Sequence, residues 1–113
     1  MHDLLKLGKD LMESYNHDNG KILKQETIKI ITSKMIAKDK CPKKWDEYKM
    51  NWGLGMAVYK TDGCNSFGHN GSNYGYTMSF TCVPEKNKCI ICMVNYNPKY
   101  ENILGKEIKK ILD

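Results

Sequence analysis

The sequence predicts an α+β domain in which helices flank an antiparallel sheet of three to four strands. Three features of its 113 residues lead to this fold class. Apolar residues recur at helical spacing in residues 1–36, they alternate as in strands over much of 52–97, and helical spacing returns over 99–113. The chain is short and contains no internal repeat, so we expect a single domain.

Residues 1–36 are expected to form the helical part of this domain. Apolar side chains within 3–15 fall every three or four positions, which lines one face of an amphipathic helix. The turn-forming residues NHDNG (16–20) end this helix, and a second apolar stripe predicts another helix over about 25–36. The two stripes consist of Leu4, Leu7, Leu11 and Tyr15, and of Ile28, Ile31 and Met35.

Residues 52–97 are expected to supply the sheet. WGLGMAVYK (52–60) and YTMSFTCV (76–83) place apolar residues at every second position, as half-buried strands do. The glycine-rich residues 68–75 between them are expected to form a turn that carries His69.

The last strand, within KCIICMVNY (88–96), is apolar on both faces, which is typical of a central strand. A central strand needs partners on both edges, so a sheet of three or four strands leaves an edge open beside it. Self-association through an open sheet edge is therefore one expectation. Residues 37–51 are polar and predict a connector, and a C-terminal helix over 99–113 is expected to lie across the sheet.

Composition argues against several classes of function. No apolar run approaches the roughly 20 residues that a membrane-spanning helix needs, and the charged start, MHDLLKLGKD, does not resemble a signal peptide. The net charge of +5 comes from lysines spread over the whole chain, which contains no arginine. Because arginine makes most bidentate contacts to bases and phosphates, we expect no nucleic-acid partner.

The five cysteines are expected to be reduced thiols without a metal or cofactor. CIIC has the spacing of some metal and redox motifs, but Cys89 and Cys92 fall within an expected strand. Residues three apart on a strand point to opposite faces, so these two thiols should not meet. The remaining cysteines are Cys41, Cys64 and Cys82.

Residues 67–97 carry a family resemblance. A His-x-Gly triad, a Gly-aromatic pair, a Pro-Glu turn and an apolar strand that ends in Asn follow one another in this segment. This order resembles the C-terminal segment of the serine β-lactamase and penicillin-binding-protein family, in the class C-like branch that includes esterases and D-amino-acid peptidases. The matching residues are His69-Asn70-Gly71, Gly75-Tyr76, Pro84-Glu85 and Asn95.

The resemblance implies a partial β-lactamase/transpeptidase-like fold and a substrate site at the triad. Intact members hydrolyse a β-lactam, a D-amino-acid peptide or an ester through an acyl-enzyme, and many are extracytoplasmic. His69 would then contact the substrate carboxylate or help a proton to move, and Gly71 would let the substrate lie against the backbone. The amide of Ser72 would donate to the oxyanion, so the implied substrate-binding residues are His69, Asn70, Gly71 and Ser72.

The chain lacks the motifs that supply the catalytic residues of this family. It contains no S-x-x-K motif, and no Y-x-N motif precedes the triad. No catalytic residue is therefore expected within it, and the first hypothesis is an inactive C-terminal portion of a larger hydrolase, cut at Met1 from a longer chain. Its small-molecule substrate would bind only to the intact parent. The alternative is a freestanding, non-catalytic α+β binding or assembly domain.

Overall fold

A computed structural model describes residues 1–43, 50–95 and 110–111, and in these residues the α+β class is confirmed. The sheet is antiparallel and has five strands in the order β1-β2-β3-β4-β5, rather than the three or four expected. Short 3-10 turns lie at Lys38–Lys40 and Pro84–Lys86. The helices and strands are α1 (His2–His17), α2 (Gln25–Ile31), β1 (Asn51–Trp52), β2 (Ala57–Thr61), β3 (Cys64–Asn73), β4 (Tyr76–Val83) and β5 (Lys88–Val94).

The two helices bury their apolar stripes against one face of the sheet. Removing these side chains from water is the main favourable contribution to the fold. On the opposite face a smaller cluster forms around Val83 and Ile90. The buried core on the helix-bearing face consists of Leu11, Met12, Ile28, Phe67, Phe80 and Cys82.

Polar side chains fix the connection between α1 and α2. The Asp10 carboxylate accepts the N–H groups of Lys21, at 2.7 Å, and of Ile22, at 3.0 Å. The fully buried Ser14 hydroxyl lies 2.6 Å from the carbonyl oxygen of Leu23. These bonds satisfy backbone groups of the connecting loop, so the loop is held against α1.

The second helix ends earlier than its apolar stripe predicts. It stops at Ile31, because the next backbone groups bond to the sheet instead of continuing the helix. The N–H groups of Met35 and Ile36 donate to the Trp52 carbonyl at 2.9 and 3.1 Å, and the Leu54 N–H donates to the Ile31 carbonyl at 2.9 Å. Tertiary hydrogen bonds therefore override helical periodicity here.

The single strand expected over 52–60 is two strands, β1 and β2, joined by a reversal at 53–56. Gly55 adopts a positive φ of 75° in this reversal, a conformation that favours glycine. The apolar alternation of WGLGMAVYK therefore runs through a turn.

The prediction of a glycine-rich turn over 68–75 is wrong, because most of these residues belong to β3. Seven residue pairs, from Phe67↔Cys82 to Asn73↔Tyr76, join β3 to β4. The chain reverses only at residues 74–75, where Gly75 has a φ of 78°. Pairing with β4 extends the strand through a sequence whose composition favours a turn.

Among the described strands, the last one lies at an edge of the sheet, and no residue described here tests whether a further strand pairs with it. β5 pairs with β4 and forms one edge of the sheet within the described part of the chain. It carries buried apolar side chains on both faces: Ile91 packs toward the helices, and Ile90 is buried in the smaller cluster on the opposite face. An apolar pattern on both faces therefore does not require a strand on each side.

The expected C-terminal helix over 99–113 lies largely outside the described residues, as do 44–49 of the connector. Residues 110–111 are helical, and the carbonyl oxygen of Ile111 accepts a hydrogen bond from the Lys88 ammonium at 2.7 Å. Across the ranges that are described, the structure contains no helix of sufficient length and apolar character to cross a membrane.

Replacing Ile28 by Ala tests the helix–sheet core. The Ile28 side chain is 0% exposed, so its loss is expected to lower the free energy of unfolding by about 2–5 kcal/mol. Ile30→Ala is the matched control, because this residue lies in the same helix and is 48% exposed; its expected change is below about 0.5 kcal/mol. Urea denaturation measures both variants, and equal losses would contradict the packing described here.

Candidate substrate-binding edge

The register of β3 leaves part of this strand with a single partner. Residues 64–68 pair with β2, and residues 67–73 pair with β4. Residues 69–73 therefore have a neighbour only on the β4 side among the described strands. In an antiparallel ladder, successive residues direct their N–H and C=O groups to opposite sides, so part of this backbone points away from β4. We call residues 69–73 the open edge.

The open edge is solvent-exposed. Ser66, Phe67 and Gly68 are buried, whereas all of residues 69–73 are exposed. A Cβ atom at Gly68 would overlap the Phe80 carbonyl oxygen, so the two strands approach closely just before the open edge begins. An exposed strand edge is a site at which another extended chain or an amide-bearing ligand can bind through backbone hydrogen bonds.

His69 begins the open edge and lies against an aromatic ring. Its side chain shares the helix-bearing face with Phe67, because the two residues are two positions apart on one strand. The imidazole meets the Trp52 indole edge-on, with ring centroids 5.4 Å apart and planes inclined by 70°. Trp52 was not predicted as a neighbour of His69, since this contact depends on the pairing of three strands and has no local signal in the sequence.

Asn70 and Ser72 occupy the opposite face of the sheet. The Asn70 side-chain oxygen accepts a hydrogen bond from the Ser79 hydroxyl at 2.8 Å, and the Ser72 and Thr77 hydroxyls lie 3.2 Å apart. The four residues implied by the resemblance therefore do not converge through their side chains. They share the backbone of the open edge, which is where a ligand could contact them together.

A cavity of about 610 Å³ adjoins the open edge at the ends of β3, β4 and β5. Gly71 and Ser72 belong to its lining, whereas His69 and Asn70 do not. The volume lies within the roughly 300–1,000 Å³ typical of small-molecule sites. All of the lining residues are uncharged: Gly71, Ser72, Asn73, Tyr76, Thr77, Met78, Met93, Val94 and Asn95.

Ionisable groups with shifted pKa values lie away from this cavity. Burial raises the pKa of Tyr59, whose hydroxyl is 2.6 Å from that of Thr81. The Asn65 N–H donates to the Glu85 carboxylate at 2.9 Å and lowers the pKa of that carboxyl. Over the described ranges, no group of three or more His, Cys, Asp or Glu side chains could hold a metal ion.

The hydroxyls beside the open edge bond to neutral groups. Ser72 faces Thr77, and Ser79 donates to Asn70. A serine nucleophile requires a base within hydrogen-bond reach, and neither pairing supplies one.

Family models, curated proteins and solved structures provide no match to this chain. The family resemblance therefore stays a prediction from the sequence motif in residues 67–97.

Replacing His69 by Ala is expected to leave the fold intact, because the side chain is exposed. Loss of the ring contact with Trp52 should lower the free energy of unfolding by only about 0.5–1.5 kcal/mol. His17→Ala is the control, since this exposed histidine ends α1, and its change should stay below about 0.5 kcal/mol. Thermal and urea denaturation measure both; a collapse of the His69 variant would mean that the imidazole holds the sheet together.

Proposed function

We propose that this chain forms one wall of the substrate groove of a β-lactamase-like serine hydrolase. The reaction would be acyl-enzyme hydrolysis of a β-lactam, a D-amino-acid peptide or an ester, with the serine nucleophile supplied by polypeptide outside these 113 residues. The single observation that carries the proposal is that the His-Asn-Gly-Ser segment coincides with the open edge.

The open edge supports this role through its backbone. A substrate amide that lies along residues 69–73 can accept from N–H groups and donate to carbonyl groups that β2 does not reach, whereas a substrate carboxylate can only accept from the N–H groups. A backbone N–H that is held in a sheet is a preorganised donor, which is what an oxyanion requires. We assign this donation to the Ser72 amide.

Gly71 supports the proposal through its lack of a side chain. It lines the cavity next to the open edge, and a Cβ atom there would meet only the Met78 side chain, at 3.7 Å. A substrate can therefore approach the strand at Gly71 without a steric barrier. The uncharged cavity beside it would receive the apolar part of the substrate.

His69 is assigned a positioning role at the entrance to the edge. Its imidazole is exposed and its ring is oriented by Trp52, so it can donate a hydrogen bond to a substrate carboxylate at the first residue of the edge.

A second candidate is a freestanding, non-catalytic binding or assembly domain. The observation that favours it is the continuous core between the helices and the sheet, which gives the chain an apolar interior of its own. In that case the open edge would bind an extended peptide of either chirality through its backbone.

NMR titration of the ¹⁵N-labelled chain with N-acetyl-D-Ala-D-Ala distinguishes the two candidates, with the L,L peptide as the matched ligand. The hydrolase proposal predicts weak binding, with amide shifts concentrated at residues 69–73 and a preference for the D,D peptide. Equal shifts with both peptides would favour the binding domain and would contradict the hydrolase wall, as would the absence of shifts at the edge.

Substitution of Gly71 by Val is expected to weaken this binding at least about tenfold, because a branched side chain narrows the approach and a loss of about 1.4 kcal/mol corresponds to that factor. Asn65→Val is the matched control, since Asn65 is an exposed position on the same strand outside the open edge. Unchanged affinity in the Gly71 variant, with both variants folded, would remove this residue from the site.

The chain alone is expected to hydrolyse neither nitrocefin nor a p-nitrophenyl ester, because it contains no S-x-x-K serine. Turnover by the purified chain would place a nucleophile within it and contradict the proposal.

A further inference from the structure

Two cysteines face each other across β4 and β5. Cys82 and Cys89 form a direct pair in the antiparallel ladder, and their sulfur atoms are 3.6 Å apart. Cys82 is fully buried and Cys89 is partly exposed. Both side chains belong to the helix-bearing face, whereas Cys64 and Cys92 contribute to the cluster on the other face.

Helix α1 crosses directly over this pair at Gly8. A Cβ atom at Gly8 would overlap the sulfur of Cys89 in its present position, so the helix backbone lies directly against this side chain. The Gly8 carbonyl oxygen is 4.0 Å from the Cys82 sulfur. The pair is thus covered by the helix, and Cys89 is the more exposed of the two residues.

The two sulfur atoms are electrostatically unequal. The Cys82 thiol donates toward the Cys89 sulfur, which raises the pKa of Cys82 and lowers that of Cys89. Burial raises the pKa of Cys82 further. The thiolate is the reactive form of cysteine, so Cys89 is the better nucleophile and is also the more accessible of the two.

We propose that Cys82 and Cys89 are a redox modification site that hydrogen peroxide converts into a reversible cross-strand disulfide. The inference does not depend on the hydrolase proposal. It rests on the opposed register, the contact between the sulfur atoms and the difference in their exposure.

The reaction proceeds in two balanced steps. The Cys89 thiolate attacks one oxygen of hydrogen peroxide, the O–O bond breaks, and the departing hydroxide takes up a proton to form water. The Cys82 sulfur then attacks the sulfur of the Cys89 sulfenic acid, the S–O bond breaks, and hydroxide leaves with the Cys82 proton as a second water. Two thiols and one peroxide yield one disulfide and two waters, and an external dithiol reverses the reaction by exchange.

The geometry requires a small movement. The sulfur atoms are 3.6 Å apart and must approach to about 2.05 Å in a disulfide. Rotation of the two side chains can supply much of this shift, because the strands already hold the residues opposite each other. The new bond would tie β5, an edge of the described sheet, to β4.

The test is exposure of the folded chain to hydrogen peroxide, followed by alkylation and mass spectrometry. Before alkylation the oxidised chain is expected to be lighter by two hydrogens; after alkylation it carries labels on three of the five cysteines, and prior treatment with dithiothreitol restores all five. Trypsin separates the two cysteines, since Lys86 and Lys88 lie between them, so peptide mapping identifies the bond. Five alkylated thiols after peroxide treatment, or a bond that involves another cysteine, would overturn the proposal.

Variants test the order of the steps. Cys82→Ser should stop at a Cys89 sulfenic acid that dimedone labels, whereas the double variant Cys64→Ser, Cys92→Ser should still form the disulfide. Cys89→Ser should leave Cys82 unlabelled because that residue is buried. Dimedone labelling of Cys82 instead of Cys89 would reverse the assigned roles and contradict the proposal; if a variant fails to fold, the mapped bond in the parent chain still decides.

Discussion

The offset register of β3 sets both the packing of the core and the position of the open edge. This ten-residue strand pairs with β2 through its first half and with β4 through its second half, and the two ladders overlap only at Phe67 and Gly68. Because the overlap is buried, the register is fixed by the core, and a slip by one residue would turn Phe67 out of it. The open edge follows directly: β2 starts opposite Gly68, so residues 69–73 extend beyond it.

Close contacts of the backbone position the open edge and the Cys82–Cys89 pair. The early end of α2 brings Met35 and Ile36 to the Trp52 carbonyl, and Trp52 in turn orients His69. On the other half of the sheet, Gly8 lets α1 lie directly on the Cys82–Cys89 pair. The helices therefore pack against the core. The segment after α2 also holds the strand that carries Trp52 beside the open edge, and α1 covers the two thiols.

Periodicity predicted the parts of the fold that bury an apolar stripe. The α+β class, α1, β4 and the turn at Pro84–Lys86 all follow from spacing and turn residues, because each segment has its own local pattern. The second half of β3 has no such pattern: residues 69–73 are polar or glycine and exposed, and they form a strand only because β4 pairs with them. Likewise, the position of β5 in the sheet and the contact of Trp52 with His69 depend on register, which a single sequence does not encode locally. The sequence motif singled out residues 69–72 as candidate substrate-binding residues. The pairing of β3 with β4 then showed that their side chains lie on two different faces of the sheet.

Amide hydrogen exchange along β3 tests directly whether residues 69–73 offer free backbone groups on one side. Because successive residues face opposite sides of the strand, alternate amides of the open edge should exchange rapidly, while their neighbours and the amides of residues 66–68 stay protected. Strong protection of every amide from 66 to 73 would contradict the account, since it would mean that the edge is already covered.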